Sequence, residues 1–291
     1  MVNDLRLYNP NIGDVANIKK VHKKKGNNDN VKKPKKGTVY LKNFHQNIRG
    51  LGQKAGELLT HLHPDFPHVM CLTEHHLKYL QLKKFHIENY NLGAHYCRQQ
   101  CEKGGVAVFV HNSLGFTNID IAQHGKDQDI EICALKLSFG TQNICILTLY
   151  RAPSGNFSTF LLQLNIILQS LCTPRLHFII CGDININYLK ESGNKSQLDN
   201  LSLPYNLASI INFPTRVQNA SATAIDNIFI DVTQFESYMI TPIISGVSDH
   251  DAQLLTICTD YSYVPTHKSK TVRKINKYTI SDLIDKLSCK S

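Results

Sequence analysis

The chain has 291 residues, 42% of them hydrophobic, a formal net charge of +9 and nine cysteines. No apolar run approaches the ~20 residues that cross a bilayer, and the first residues are polar, so neither a membrane span nor a secretory leader is expected. Cys71, Cys133, Cys145 and Cys181 sit inside apolar runs and no pair has zinc-ligand spacing, which predicts buried thiols, a reducing intracellular setting and no structural metal.

Residues 1–37 hold nine lysines and Arg6 against Asp4, Asp14 and Asp29, and so carry most of the positive surplus. The segment is poor in apolar residues and is predicted to be a disordered basic tail: a solvated arm, a nuclear-targeting patch or a contact to a polyanion. From 38 to 258 the pattern is that of one α/β domain. A strand is predicted over 38–47, a helix over 53–62, a strand over 68–73 and a helix within "HHLKYLQLKKF". Strands follow at 104–110, 129–137 and 143–150, then a helix over 157–171 opened by a cap signal at Ser154. The last strands are predicted over 177–183, 225–230 and 252–258. Helices alternate with strands early and strands succeed strands later, which predicts a mixed sheet or two packed sheets with helices outside. Residues 259–291 read as a linker ending in a short amphipathic helix.

The ends of these strands collect polar residues. Asn47 closes the first, Glu74 the second, Tyr150 and Arg151 the fifth; Asp183 and Asn185 close the sixth, in "FIICGDININ". Period-2 geometry puts Asp183 and Asn185 on one face, although Gly-Asp also favours a plain turn. Asp226, Asn227, Ser248, Asp249 and His250 follow late in the chain. Individually, Glu74 also suits a helix cap, Asp226 a turn, and His75, His76 and His111 surface or packing positions. Carboxylates without a cysteine or histidine cluster make a hard oxygen site, suited to Mg²⁺ or Mn²⁺. A histidine beside an aspartate can serve as general base or orient the attacking group, and Asn, Tyr and Arg can donate to a phosphate as its charge grows. Together these residue types predict metal-assisted hydrolysis of a phosphate ester.

The ordered segments "QNIRGL", "CLTEHHL", "GGVAVFV", "LYRAPSG", "CGDININ", "NFPTRVQNASATAIDNIFID" and "SDHD" resemble the endonuclease/exonuclease/phosphatase superfamily, which includes the apurinic/apyrimidinic endonucleases and deoxyribonuclease I. More narrowly, the chain is similar to the endonuclease domain of LINE-type non-LTR retrotransposons. The resemblance spans about 38–258 and implies a four-layer α/β sandwich, two packed sheets with helices on both outer faces. It makes Glu74 the main metal ligand, with Asn47 beside it and Asp249 near the metal. Asp183 and Asn185 would position or activate the attacking water, His250 would contact the scissile phosphate while held by Asp226, and Tyr150 would bind a phosphate oxygen. Arg151, Thr215 and Arg216 are expected on the substrate side. Where several repair enzymes of the superfamily have a second acidic residue, this chain has Arg49, which leaves one-metal and two-metal schemes open.

The expectation is therefore a nuclear, Mg²⁺-dependent DNA endonuclease that leaves a 3′-hydroxyl, with the element's RNA as a further partner. No doublet of aspartates typical of a reverse transcriptase occurs before Ser291, so the sequence reads as a truncated element or a host gene derived from one. Two alternatives stand beside it: a phosphoesterase of the same fold acting on a lipid or RNA, and a catalytically dead nucleic-acid-binding remnant.

Overall fold

The computed structural model describes residues 38–99, 103–140, 142–173, 175–219, 221–235 and 237–260. The basic tail, and the linker and terminal helix from 261 onward, lie outside the described residues. The first half of the chain runs β1 (Thr38–Asn47), α1 (Ala55–Leu62), β2 (Val69–Thr73), α2 (Tyr79–Lys84), β3 (Tyr90–Tyr96), β4 (Val106–His111), β5 (Phe116–Ile119), β6 (Glu131–Phe139) and β7 (Gln142–Tyr150). The second half runs α3 (Phe157–Leu171), β8 (Leu176–Asp183), α4 (Gly193–Ser202), β9 (Leu207–Ser209), β10 (Arg216–Gln218), β11 (Ser221–Thr223), β12 (Asp226–Asp231), β13 (Tyr238–Ile243) and β14 (Ala252–Asp260).

Two six-stranded sheets form, ordered β13-β14-β1-β2-β4-β3 and β5-β6-β7-β8-β12-β9, with β10 and β11 as a separate hairpin. Each sheet has one parallel pair, β1 with β2 and β7 with β8, and the other pairs are antiparallel. Parallel neighbours need a crossover, which α1 supplies in the first sheet and α3 in the second. The carboxyl ends of these two central pairs lie at one edge of the molecule, and that edge carries the site.

The sequence of β2, "VMCLT", is apolar throughout because both its faces are covered. Val69 and Cys71 join the core between the sheets with Val106, Val108, Leu135 and Ile146. Met70 and Leu72 join a second core with Phe44, Phe109 and, from the helices, Leu58, Leu62 and Leu82. Phe160, Leu164, Ile167 and Leu168 of α3 cover the outer face of the other sheet. Helices, sheet, sheet and helices thus make four layers, as the family resemblance implies. Each fully buried large side chain contributes about 1.5–3 kcal/mol, which holds the sheets in the register the site needs.

Three local readings change. The cap of α3 is Asn156, whose side chain accepts from the Thr159 amide at 2.9 Å, and not Ser154. The helix within "HHLKYLQLKKF" is confined to α2, with Lys78 as its first flanking residue, so Glu74 lies too far upstream to cap it. The strand predicted from Gly104 begins only at Val106, because Gly104 and Gly105 have φ of 78° and 88° and form the turn before it.

Candidate active site

Asn47 is the last residue of β1 and is fully buried. Its Nδ2 donates at 2.8 Å to Glu74 Oε1 and at 2.8 Å to Asp183 Oδ2, so one amide joins the end of β2 in one sheet to the end of β8 in the other. Glu74 has φ of 52°, which turns the chain out of β2 and leaves its carboxylate between Asn47 and His76, whose Nε2 lies 3.2 Å from Oε2. Burial works against that charge, but the His76 and Asn47 hydrogen bonds and the nearby Arg49 outweigh it and bring Glu74 down to about 2.

Asp183 is 1% exposed. Its Oδ1 accepts from the Asn185 amide at 3.1 Å while Oδ2 faces Asn47, so the residue both makes the turn and enters the site. Burial, then the charge of Asp226, pushes it up to about 8. Asp226 lies opposite Asp183 in the β12–β8 ladder and is fully buried. Its Oδ2 accepts from the Thr215 hydroxyl at 2.9 Å and lies 2.7 Å from His250 Nδ1. Burial disfavours the imidazolium, yet the hydrogen bond and charge of Asp226, with Asp183 and Asp249 beyond, raise His250 above its ordinary value. With Nδ1 engaged by Asp226, Nε2 is the ring atom left for chemistry.

The remaining predicted residues divide. Tyr150 pairs with Asp183 in the β7–β8 register and is 5% exposed; the Arg98 guanidinium lies over its ring, 5.7 Å from the centroid. Burial raises its hydroxyl. Asn185 lies just beyond β8 with φ of 50° and donates from Nδ2 to the Arg151 carbonyl at 2.8 Å. Arg216 and Asp249 meet at the rim. Two residues expected on the substrate side face inward instead. Thr215 is fully buried behind Asp226. Arg151 is 4% exposed and donates to the carbonyls of Ile184, Ala152, Gly155 and Asn185, because a buried guanidinium needs all its donors satisfied. Arg151→Ala is accordingly expected to lower stability by roughly 3 kcal/mol, read as a lower melting temperature. A variant as stable as the wild type would contradict this role.

Sequence reasoning missed two contacts: His76, read as a surface or packing residue, closes on Glu74, and Arg49, marked only as standing where relatives carry an acidic residue, donates from Nη1 to both Asp249 oxygens at 2.8 Å. The two-residue spacing from Glu74 to His76 was a local signal for the first. The second joins residues far apart in the chain and had none. Also missed was Glu131, fully buried, opposite Tyr150 in the β6–β7 ladder and held by Arg98 Nε at 2.6 Å.

The donor set fits a divalent cation. Asp183, Asp226 and His250 offer ligand atoms within 4.8 Å of one another, and Asp226 Oδ1 is buried without a hydrogen-bond partner. Glu74 and Asp183, bridged by Asn47, offer a second grouping, this one of oxygen donors alone. The second suits a hard cation better, since it offers carboxylate oxygens where the first includes an imidazole nitrogen.

Residues 45–250 match the Endonuclease/Exonuclease/phosphatase family, which is most of the described chain. The chain belongs to that family. Solved structures share its fold. The endonuclease domain of TRAS1, a telomere-specific non-LTR retrotransposon, superposes with a TM-score of 0.60 at 15% identity, over 75% of this chain and 98% of that one. The apurinic/apyrimidinic endonuclease LMAP from Leishmania major gives 0.59 at 15% identity, over 75% and 87%. The 3′ phosphatase NExo from Neisseria, bound to product DNA hairpin, gives 0.58 at 13% identity, over 74% and 98%. No curated protein matches the chain in sequence. No helix among the described residues is long and apolar enough to cross a membrane.

Proposed function

We propose that the chain is a Mg²⁺-dependent DNA endonuclease of retrotransposon origin, acting in the nucleus and leaving a 3′-hydroxyl, with the element's RNA as a further partner. The observation that carries this reading is the buried Asp183 carboxylate, met by Asn47 and Glu74 on one side and by the Asp226–His250 pair on the other. The likeness of the fold to the TRAS1 endonuclease domain, and to a phosphatase bound to product DNA, supports DNA as substrate. Glu74, Asn47 and Asp183 would hold Mg²⁺ or Mn²⁺, which when bound polarises the phosphoryl oxygen and offsets the charge that grows there.

The chain's own residues have distinct tasks. Asp183 takes the proton of the attacking water, and the Asn185 amide keeps its Oδ1 in place. His250, fixed by Asp226 and through it by Thr215, presents Nε2 to the scissile phosphate as a donor. Tyr150 sits between Asp183 and the Arg98–Glu131 pair and presents its hydroxyl to a phosphate oxygen. Supercoiled plasmid is expected to relax with Mg²⁺ and not with EDTA, and Glu74→Ala should nick at least about 10²-fold more slowly. Intact DNA binding without nicking in any divalent ion would overturn the reading, and phosphate release from small esters in its place would redirect it to another phosphoester.

A further inference from the structure

The rim of the site carries a charge cluster that joins the two ends of the domain. Arg49, just past β1 with φ of 45°, donates from Nη1 to both oxygens of Asp249 at 2.8 Å. From the opposite side Arg216 donates to Oδ2 of the same carboxylate, from Nε at 3.0 Å and with Nη2 at 2.9 Å. Two guanidiniums thus share one carboxylate and leave a positive surplus. The cluster is open to solvent, with 47% of the Arg49 side chain and 28% of the Arg216 and Asp249 side chains exposed, whereas the floor residues Asp183 and Asp226 are closed. The loops that bear it are tied together: Ser248 Oγ donates to the Asn47 carbonyl at 2.6 Å, and the Arg49 amide to Asn47 Oδ1 at 3.2 Å. Asp249, with both oxygens already engaged, is placed to orient two arginines.

A guanidinium fork grips a phosphate in the same bidentate geometry as a carboxylate. Its charge is permanent, and a partly exposed guanidinium held at a fixed angle needs little reorganisation when the anion arrives. Arg49 also lies within electrostatic reach of Glu74 and Tyr150, so its charge acts on the same phosphate as they do. We propose that Arg49 and Arg216, aligned by Asp249, form a clamp for a substrate phosphate that supplies in fixed form the charge a second divalent ion would bring, so that this chain works with one bound ion. The proposal rests on the phosphodiester-hydrolase reading and extends it to how the substrate is held.

The full chain, binding a fluorescent DNA duplex in EDTA, tests the clamp without turnover. Arg49→Ala and Arg216→Ala are each expected to reduce the slope of log affinity against log salt by about one, since each arginine neutralises one phosphate. Arg49→Lys should keep the slope of the wild type, because the charge stays, while losing turnover with the fork. Mn²⁺ titration followed by electron paramagnetic resonance should give one ion per wild-type chain and two for Arg49→Asp. An unchanged slope in both alanine variants, or two ions in the wild type, would overturn the proposal. Plasmid nicking by the wild type separates the two claims: no nicking removes the hydrolase reading, whereas nicking with an unchanged salt slope removes the clamp alone.

Discussion

Asp183→Asn is expected to lower metal-dependent nicking by about 10³-fold, because it deletes the group proposed to take the water's proton, while stability at neutral pH is kept or raised. The two effects separate because of where the side chain sits. Burial, with Asp226 opposite, makes the ionised form unfavourable, so the amide removes an electrostatic cost even as it exchanges one hydrogen bond with Asn47 for a poorer one. The sign of the pH dependence follows. With Asp183 raised to about 8, the folded metal-free protein binds a proton that the unfolded chain releases near pH 4, so stability falls as pH rises from about 4 to 8. The variant lacks that slope, and its melting temperature should gain on the wild type over the same interval. A cation needs the carboxylate ionised, so at pH 7 the wild type should release close to one proton for each ion bound, and the variant none. Calorimetry in buffers of different ionisation enthalpy measures this, and equal proton release by both proteins would remove Asp183 from the metal site.

His250→Ala should cost both rate and fold. Loss of the imidazole is expected to slow nicking by 10²–10⁴-fold or thereabouts. It also leaves Asp226, fully buried, with only the Thr215 hydroxyl, and stranding a buried charge in this way costs roughly 3–5 kcal/mol. The double variant Asp226→Asn with His250→Ala removes the stranded charge as well, and should therefore be more stable than His250→Ala alone. Because His250 is raised in the fold, the ionic part of its pairing is complete below about pH 6.5 and fades as pH rises through the raised value. The loss of stability in His250→Ala should accordingly be larger at pH 6 than at pH 9, as read by urea unfolding. A double variant less stable than the single one would show that the pair contributes through packing and not through charge.

The central strands were legible because both their faces are covered, which makes an apolar run such as "IICGD" hard to mistake. The strands that escaped are mostly edge or hairpin strands with one face in water. β13, "YMITPI", has only half-buried and exposed positions and includes Pro242. β5 and β3 are partly polar, and β3 carries a bulge beside Gly93. α4, "GNKSQLDNLS", buries only Leu198 and Ser202 and so shows no apolar stripe. In the site, the residue types at the strand ends could be read from the sequence, whereas their partners could not. Nothing local distinguishes Arg151, which bonds four backbone carbonyls, from Arg216 at the rim, and the meeting of Arg49 with Asp249 exists only after the domain has closed on itself.

β14 lies between β13 and β1, so the strand that follows His250 is a central one, and it pairs with the first strand of the domain. That pairing joins the most distant parts of the described chain, and it requires the largest loop to close. Before it forms, the half of the site from the other sheet, Tyr150, Asp183 and Asp226, has neither His250 nor a docked Asn47 to complete it. A chain still emerging from the ribosome, or one cut before β14, would thus lack the assembled cluster of Asn47, Asp183, Asp226 and His250. The topology makes the synthesis of β14 a condition for a complete site, and that condition comes from strand order alone.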